Sequence, residues 1–335
     1  MRLPICLASA VLSVGLVVNW DSSASDSDLE GRPQLLRILM GTIGAADVNE
    51  LAHLYSVWLG YTVRERGRIP AEVAASWGTP AMEGREYVLL SSNSHPDVFI
   101  RAVSVERLDE YRPATTFGWN AFEVVVEDVY AMREKLADGP FEIIGEPRPL
   151  NSRPSIHAMQ VVGPGGEILY LTTETGDRVT STLPMPGGPL GRLFIMVLGG
   201  VDIVEIRDFY ADRFGLQKNP IRESRGQTVQ KAWGGTESGT HPITLLRFGE
   251  HGNSMELNGY VKPGLGPRPR EAGALPTGNA MSTFVVRNLD ALDIDFIAPP
   301  TRLPGMAYAG RRAATFVGRA GEITELVEDR GGGVE

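Results

Sequence analysis

The chain has 335 residues, 42% hydrophobic and 22% charged, with 39 glycines and 23 prolines. That composition is globular and loop-rich, and the length exceeds what one core usually organises, so two domains are expected. A net charge of −9 without a Lys/Arg cluster argues against a nucleic-acid partner, because phosphate binding needs a concentrated basic face.

In chain order, Arg2 precedes a mostly apolar run from Leu3 to Val18, and small or polar residues follow through Ala24. This predicts a signal peptide over 1–24 and a flexible lead-in over 25–35, hence export to the periplasm or beyond the cell. The alternative is an uncleaved N-terminal membrane anchor, although the run is shorter than the ~20 residues that span a bilayer. After cleavage no stable membrane span remains. The single cysteine, Cys6, lies in that run, so the mature chain has no disulfide, thiol nucleophile or cysteine ligand.

Ile38 to Ile43 reads as a buried strand. Asp47 then opens an amphipathic segment with Val48, Leu51, Leu54, Tyr55 and Trp58 on its apolar side, closed by Gly60, which predicts a helix capped by Asp47. Three strands follow near Tyr61, Tyr87 to Leu90 and Val98 to Val103. The same strand, helix and three strands recur from Ala121 to Thr172, with Asp128 at the helix start. A third copy runs from Leu193 to Leu257. A fourth, from Ser282 to Val327, has its helix cut short after Asp290.

The four modules form two longer repeats. A shift of 155 residues, the distance from Arg37 to Arg192, lays Asp47 on Asp202, Tyr55 on Tyr210, Gly60 on Gly215 and Gly166-Glu167-Ile168 on Gly321-Glu322-Ile323. One further residue of shift pairs Trp77 with Trp233 and His95 with His251. A repeat fixes architecture more firmly than local propensity. The expected division is a first domain over 36–176, a linker over 177–190 and a second domain over 191–330.

These modules, the Asp at each helix start, the helix ends Tyr55 to Tyr61 and Tyr210 to Leu216, and the Gly-Glu-Ile turns resemble the vicinal-oxygen-chelate superfamily. That superfamily includes glyoxalase I, bleomycin resistance proteins and extradiol dioxygenases. The resemblance implies an α+β fold of four βαβββ modules in two cup-shaped domains. It also implies a small-molecule ligand and, in most enzymes of the group, a divalent metal held by His and Glu from the first and last strands of each module. The cups would be completed within the chain or across a homodimer, and the sequence leaves both open.

Seven residues before each helix-opening Asp stand Met40, Ala121, Ile195 and Thr283, none a good metal ligand. The last-strand positions offer Ile100 and Tyr170 in the first repeat and Glu256 and Glu325 in the second. The usual metal site is therefore degenerate. Glu256 and Glu325 are the candidate catalytic carboxylates of the second domain, or weak ligands for a divalent metal there with help from His241 or His251. Trp119, His157, Tyr170, Trp233, His241 and Arg312 are the candidate ligand contacts. The reading is an exported protein that acts on or binds a small oxygenated, hydrophobic or aromatic compound. The alternatives are a metal-dependent extradiol-type dioxygenase or glyoxalase-like lyase, and a non-catalytic sequestering protein.

Overall fold

The computed structural model describes residues 32–235, 239–262 and 264–330; the expected signal segment lies outside the described residues. The first module contains β1 (Leu35–Ala45), α1 (Val48–Leu54), β2 (Thr62–Arg68), α2 (Ala71–Ser76), β3 (Glu86–Ser91) and β4 (Phe99–Ser104). The second contains β5 (Gly118–Val126), α3 (Val129–Leu136), β6 (Glu142–Leu150), β7 (Arg153–Val162) and β8 (Ile168–Glu174). The third contains β9 (Leu190–Gly200), α4 (Ile203–Phe214), β10 (Arg222–Ser224), α5 (Gln227–Ala232), β11 (His241–Arg247) and β12 (Ser254–Gly259). The fourth contains β13 (Gly278–Val286), β14 (Thr301–Arg302), β15 (Arg312–Val317) and β16 (Ile323–Glu328).

The helix that follows the first strand of each of the first three modules begins at a capping aspartate. Asp47, Asp128 and Asp202 each accept two backbone N–H bonds from the first turn, satisfying donors that a helix start leaves free. In the fourth module the cap is Asn288 rather than Asp290, and only a single 3-10 turn, Leu289–Ala291, follows. Among the described residues no helix is long and apolar enough to cross a membrane.

Two eight-stranded sheets result, in the orders β14-β15-β16-β13-β1-β4-β3-β2 and β10-β11-β12-β9-β5-β8-β7-β6. At the centre of each, the first strands of two modules pair antiparallel, β1 with β13 and β5 with β9. The first module therefore shares its sheet with the fourth, and the second with the third. The repeat units and the cups are different divisions of the chain, and both cups are complete within one chain.

The helix-bearing faces of the two sheets share one apolar core in which Tyr55, Trp119, Phe122, Tyr210, Phe284 and Phe316 are the large members. A Cβ on Gly41 would lie 2.7 Å from the Phe122 ring, so the approach of that ring to β1 requires glycine. Two matched buried pairs stitch the modules the other way. Tyr55 donates to Glu167 at 2.6 Å and Tyr210 to Glu322 at 2.7 Å, joining first to second module and third to fourth. Burial pushes both carboxyls up to about 7.

Candidate functional site

The parallel pairing of first and last strands places four side-chain positions on each cup floor. Thr42 lies beside Arg101, Thr283 beside Glu325, Glu123 beside Tyr170 and Val197 beside Glu256. Each first-strand member stands five residues before its helix cap, Asp47, Asn288, Asp128 or Asp202. Met40, Ala121 and Ile195 lie two residues earlier, on the same face. Ile100 belongs to the apolar core on the helix side, one residue out of phase with Arg101, and a one-residue slip changes the face.

In the cup of first and fourth modules, the four positions close on one another. Glu325 is fully buried. It accepts from Trp77 Nε1 and the Tyr308 hydroxyl, each at 2.7 Å, from Thr283 Oγ1 at 2.8 Å and from Arg101 at 3.2 Å. Arg101 also donates to Thr42 Oγ1 at 2.9–3.0 Å and to Tyr308 at 2.8 Å, and its guanidinium stacks 4.4 Å over Trp77. Residues of α2 and the segment near Leu303 to Tyr308 fill the cup as part of an apolar cluster. The cavity left beside Tyr308 measures about 20 Å³. This cup is a closed core, with no space for a ligand at its floor.

The cup of second and third modules is open. Glu123, Tyr170 and Glu256 line a cavity of about 660 Å³. The repeat places Glu256 where the other cup has Arg101, and Tyr170 where it has Glu325, so the cation that balances Glu325 has no counterpart here. Trp233, the counterpart of Trp77, donates to the Ala114 carbonyl at 2.7 Å instead of to a carboxylate. Glu123 has only the Thr172 hydroxyl near it, at 3.5 Å. Burial, and then the Glu256 charge, push its carboxyl well above the usual range. Burial also raises Glu256, against one stabilising donation from Asn258 Nδ2 at 2.9 Å. Burial and the same carboxylates keep the Tyr170 phenol protonated.

His241 extends this network. Because the Asn258 amide nitrogen serves Glu256, its oxygen faces His241 Nε2 at 2.6 Å and must accept. Burial lowers the His241 pKa, so the ring is neutral. Over the cavity lies α5, whose Thr228 donates to Gln160 at 3.0 Å. A Cβ on Gly145 would stand 2.0 Å from that Gln160 oxygen, so a side chain there would displace the Gln160 amide from this contact. Beyond Thr228 the space continues as a wider cleft of about 970 Å³ between the modules. Its Asp47 is committed to capping α1, and the other acids that line it, Glu50, Asp109 and Glu142, are exposed.

No family model and no curated protein sequence matches the chain. Among solved structures, glyoxalase I from Zea mays is similar with a TM-score of 0.56 and 17% identity, covering 87% of this chain and 92% of that one. A proposed dioxygenase from Bacillus subtilis gives a TM-score of 0.57 at 10% identity, covering 89% and 86%. The fold is that of the vicinal-oxygen-chelate superfamily. At such identities the likeness establishes architecture, and the chemistry must come from the site.

Enzymes with this fold commonly hold a divalent metal at the first- and last-strand positions, and neither cup here fits one. In the closed cup the four donors to Glu325 use its oxygens, and the Arg101 guanidinium supplies the positive charge. In the open cup the set is two carboxylates, a protonated phenol and the Val197 side chain, short of the three or four ligands a transition metal takes. Among the described residues, no three His, Cys, Asp or Glu converge.

The remaining sequence-stated residues separate clearly. Glu256, Tyr170 and His241 line the open cup, whereas Glu325 lies on the floor of the other sheet, so the two candidate carboxylates do not meet. Trp233 packs edge-on against Tyr260 and His241 behind α5. Trp119 is core, donating to the Ile323 carbonyl. Strand alternation turns His157 and Arg312 to the helix side, where His157 bonds Tyr130 and Pro154, and Arg312 pairs with Asp290 and Glu328. Glu123 is the residue that sequence reasoning missed. Its signal was a lone acid in Ala121-Phe122-Glu123-Val124-Val125-Val126, a strand buried along its whole length.

Proposed function

We propose that the chain binds a small oxygenated organic compound in the cup of second and third modules, and that the Glu123–Glu256 pair moves a proton on it without a metal. The observation that carries this reading is the uncompensated carboxyl pair at the floor of an open cavity, matched by a fully compensated ion pair at the same place in the closed cup. Two carboxyls that repel each other in a buried site retain a proton. Asn258 donates to Glu256, so Glu256 is the better anion and Glu123 the acid.

A carbonyl oxygen of the ligand set against Glu123 would receive its proton while Glu256 removes one from the adjacent carbon. The C–H electron pair becomes the new C=C bond, the C=O π pair becomes the enol O–H, and return of the protons by the opposite route completes an isomerisation or exchange. Tyr170, held protonated, donates to the same oxygen. The apolar run from Leu3 to Val18 supports export as part of this reading.

The test is proton exchange. The mature protein is incubated in heavy water with a panel of small carbonyl compounds, and loss of the α-proton signal is followed by NMR. The reading expects exchange that Glu123→Gln and Glu256→Gln each abolish. Compounds that bind the cup but exchange no faster than with either variant would make it a sequestering site.

A further inference from the structure

A second polar feature of the open cup lies away from the carboxyl pair. Between Gly145 and Arg148 on β6 and Gln160 and Ala158 on β7 the register shifts, with three residues on β6 spanning two on β7. This bulge re-aims the strand. Glu146 goes outward to Arg133 on α3, at 2.9 and 3.1 Å, and Arg148 goes into the cavity wall. Arg148 is half-buried, and among the described residues it makes no ion pair and no side-chain hydrogen bond. Arg225, exposed on the opposite lip just before α5, lines the same cavity. The third carboxylate of the lining, Glu223, is also exposed.

The register sets the distance. Arg148 lies opposite Ala158, and Ala158 opposite Thr172, so the Arg148 and Thr172 backbones are two strand spacings apart, about 10 Å. Thr172 is the hydroxyl beside Glu123. Ala158 between them has a side chain too short to fill the gap. Arg148 lines the same cavity as Glu123 and Glu256, and among the described residues no ion pair joins it to either carboxylate.

We propose that the ligand is a small organic acid, with its anionic group held by Arg148, assisted by Arg225, and its reacting oxygen a few carbons away at Glu123. Guanidinium recognises carboxylate and phosphate by the same paired donors, and the bulge supplies that donor set to the cavity without a protein partner. This inference rests on the proton-transfer reading of the floor and specifies its substrate class.

The probes are trifluoroacetate and its neutral isostere trifluoroacetamide, each followed by ¹⁹F NMR with wild-type protein, Arg148→Gln and Glu123→Gln. Both probes are small enough for the cavity. Trifluoroacetate is expected to bind about tenfold more tightly than the amide, as one charge-assisted contact provides. Arg148→Gln should bring the two within about threefold, while Glu123→Gln leaves the preference for the anion in place. Equal binding of the probes to wild type, or a preference that survives Arg148→Gln, overturns the proposal. Equal binding together with loss of the amide in Glu123→Gln rejects the organic-acid assignment and leaves the floor site standing. If neither probe responds to either substitution, both readings are rejected.

Discussion

Removing Glu325 should unfold the protein more effectively than it impairs any ligand. In Glu325→Ala the guanidinium of Arg101, a residue 3% exposed, loses its counter-ion, and Trp77, Thr283 and Tyr308 lose the acceptor they share. Breaking a buried pair by deleting one partner costs about 3–5 kcal/mol. The orphaned neutral donors would cost about 1–3 kcal/mol each if separate, but they share one site and partly re-pair, so the loss is set at about 5 kcal/mol. That is a large part of an ordinary domain's stability. The double variant Arg101→Met/Glu325→Leu removes both charges and refills the volume, and should lie within about 2 kcal/mol of wild type. Urea unfolding at pH 7, followed by circular dichroism, gives all four corners of the cycle. A loss below about 1 kcal/mol in Glu325→Ala, or a double variant as unstable as the two single losses combined, would refute the view that this cup floor is structural.

Other outcomes follow from the same structure. Glu167 titrates at about 7 in the folded chain against an ordinary 4.5, so folding favours its protonated form. The stability it contributes is present below about 4.5 and is lost as pH rises through about 7. Glu167→Gln should therefore flatten the stability profile over that window, by about 3 kcal/mol relative to wild type, in unfolding curves at pH 4.5 and 8; identical slopes would show that Glu167 is not titrating in the core. Glu256→Gln relieves the repulsion on Glu123, whose folded pKa is also raised, and should raise the melting temperature more at pH 8 than at pH 5. A larger gain at pH 5 would reverse the sign of the argument. Mass spectrometry of protein recovered from the producing cells should find an N-terminus near Ser25; an intact Met1 would contradict export by cleavage.

The repeat made the module order legible, because Asp47, Asp128 and Asp202 cap helices for a reason visible in sequence, and because Tyr55 and Tyr210 recur with Glu167 and Glu322 at equal spacing. The pairing of modules was not legible. All nine residues of β5 and all nine of β13 are buried, so these strands show no polar face that would select a partner. The open floor was half legible. Glu256 and Tyr170 were found by strand position, but Glu123 sits two residues from Ala121, and a period-two pattern cannot distinguish residues on the same face. Arg101 was hidden behind Ile100 by a single-residue slip, although a charged residue inside Phe99 to Val103 has the same signature as Glu123 inside β5. The departures from apolar pattern in two buried strands thus mark the floors of both cups, one neutralised and one not.

The central claim is that Glu123 and Glu256 share a proton in an open cup. Carbon-13 NMR of glutamate-labelled protein, with Glu123→Gln and Glu256→Gln for assignment, measures it directly. The account predicts that Glu123 titrates well above the ordinary carboxyl range and moves down when Glu256 is replaced. Two carboxyls titrating independently near their ordinary value, each indifferent to loss of the other, would contradict it.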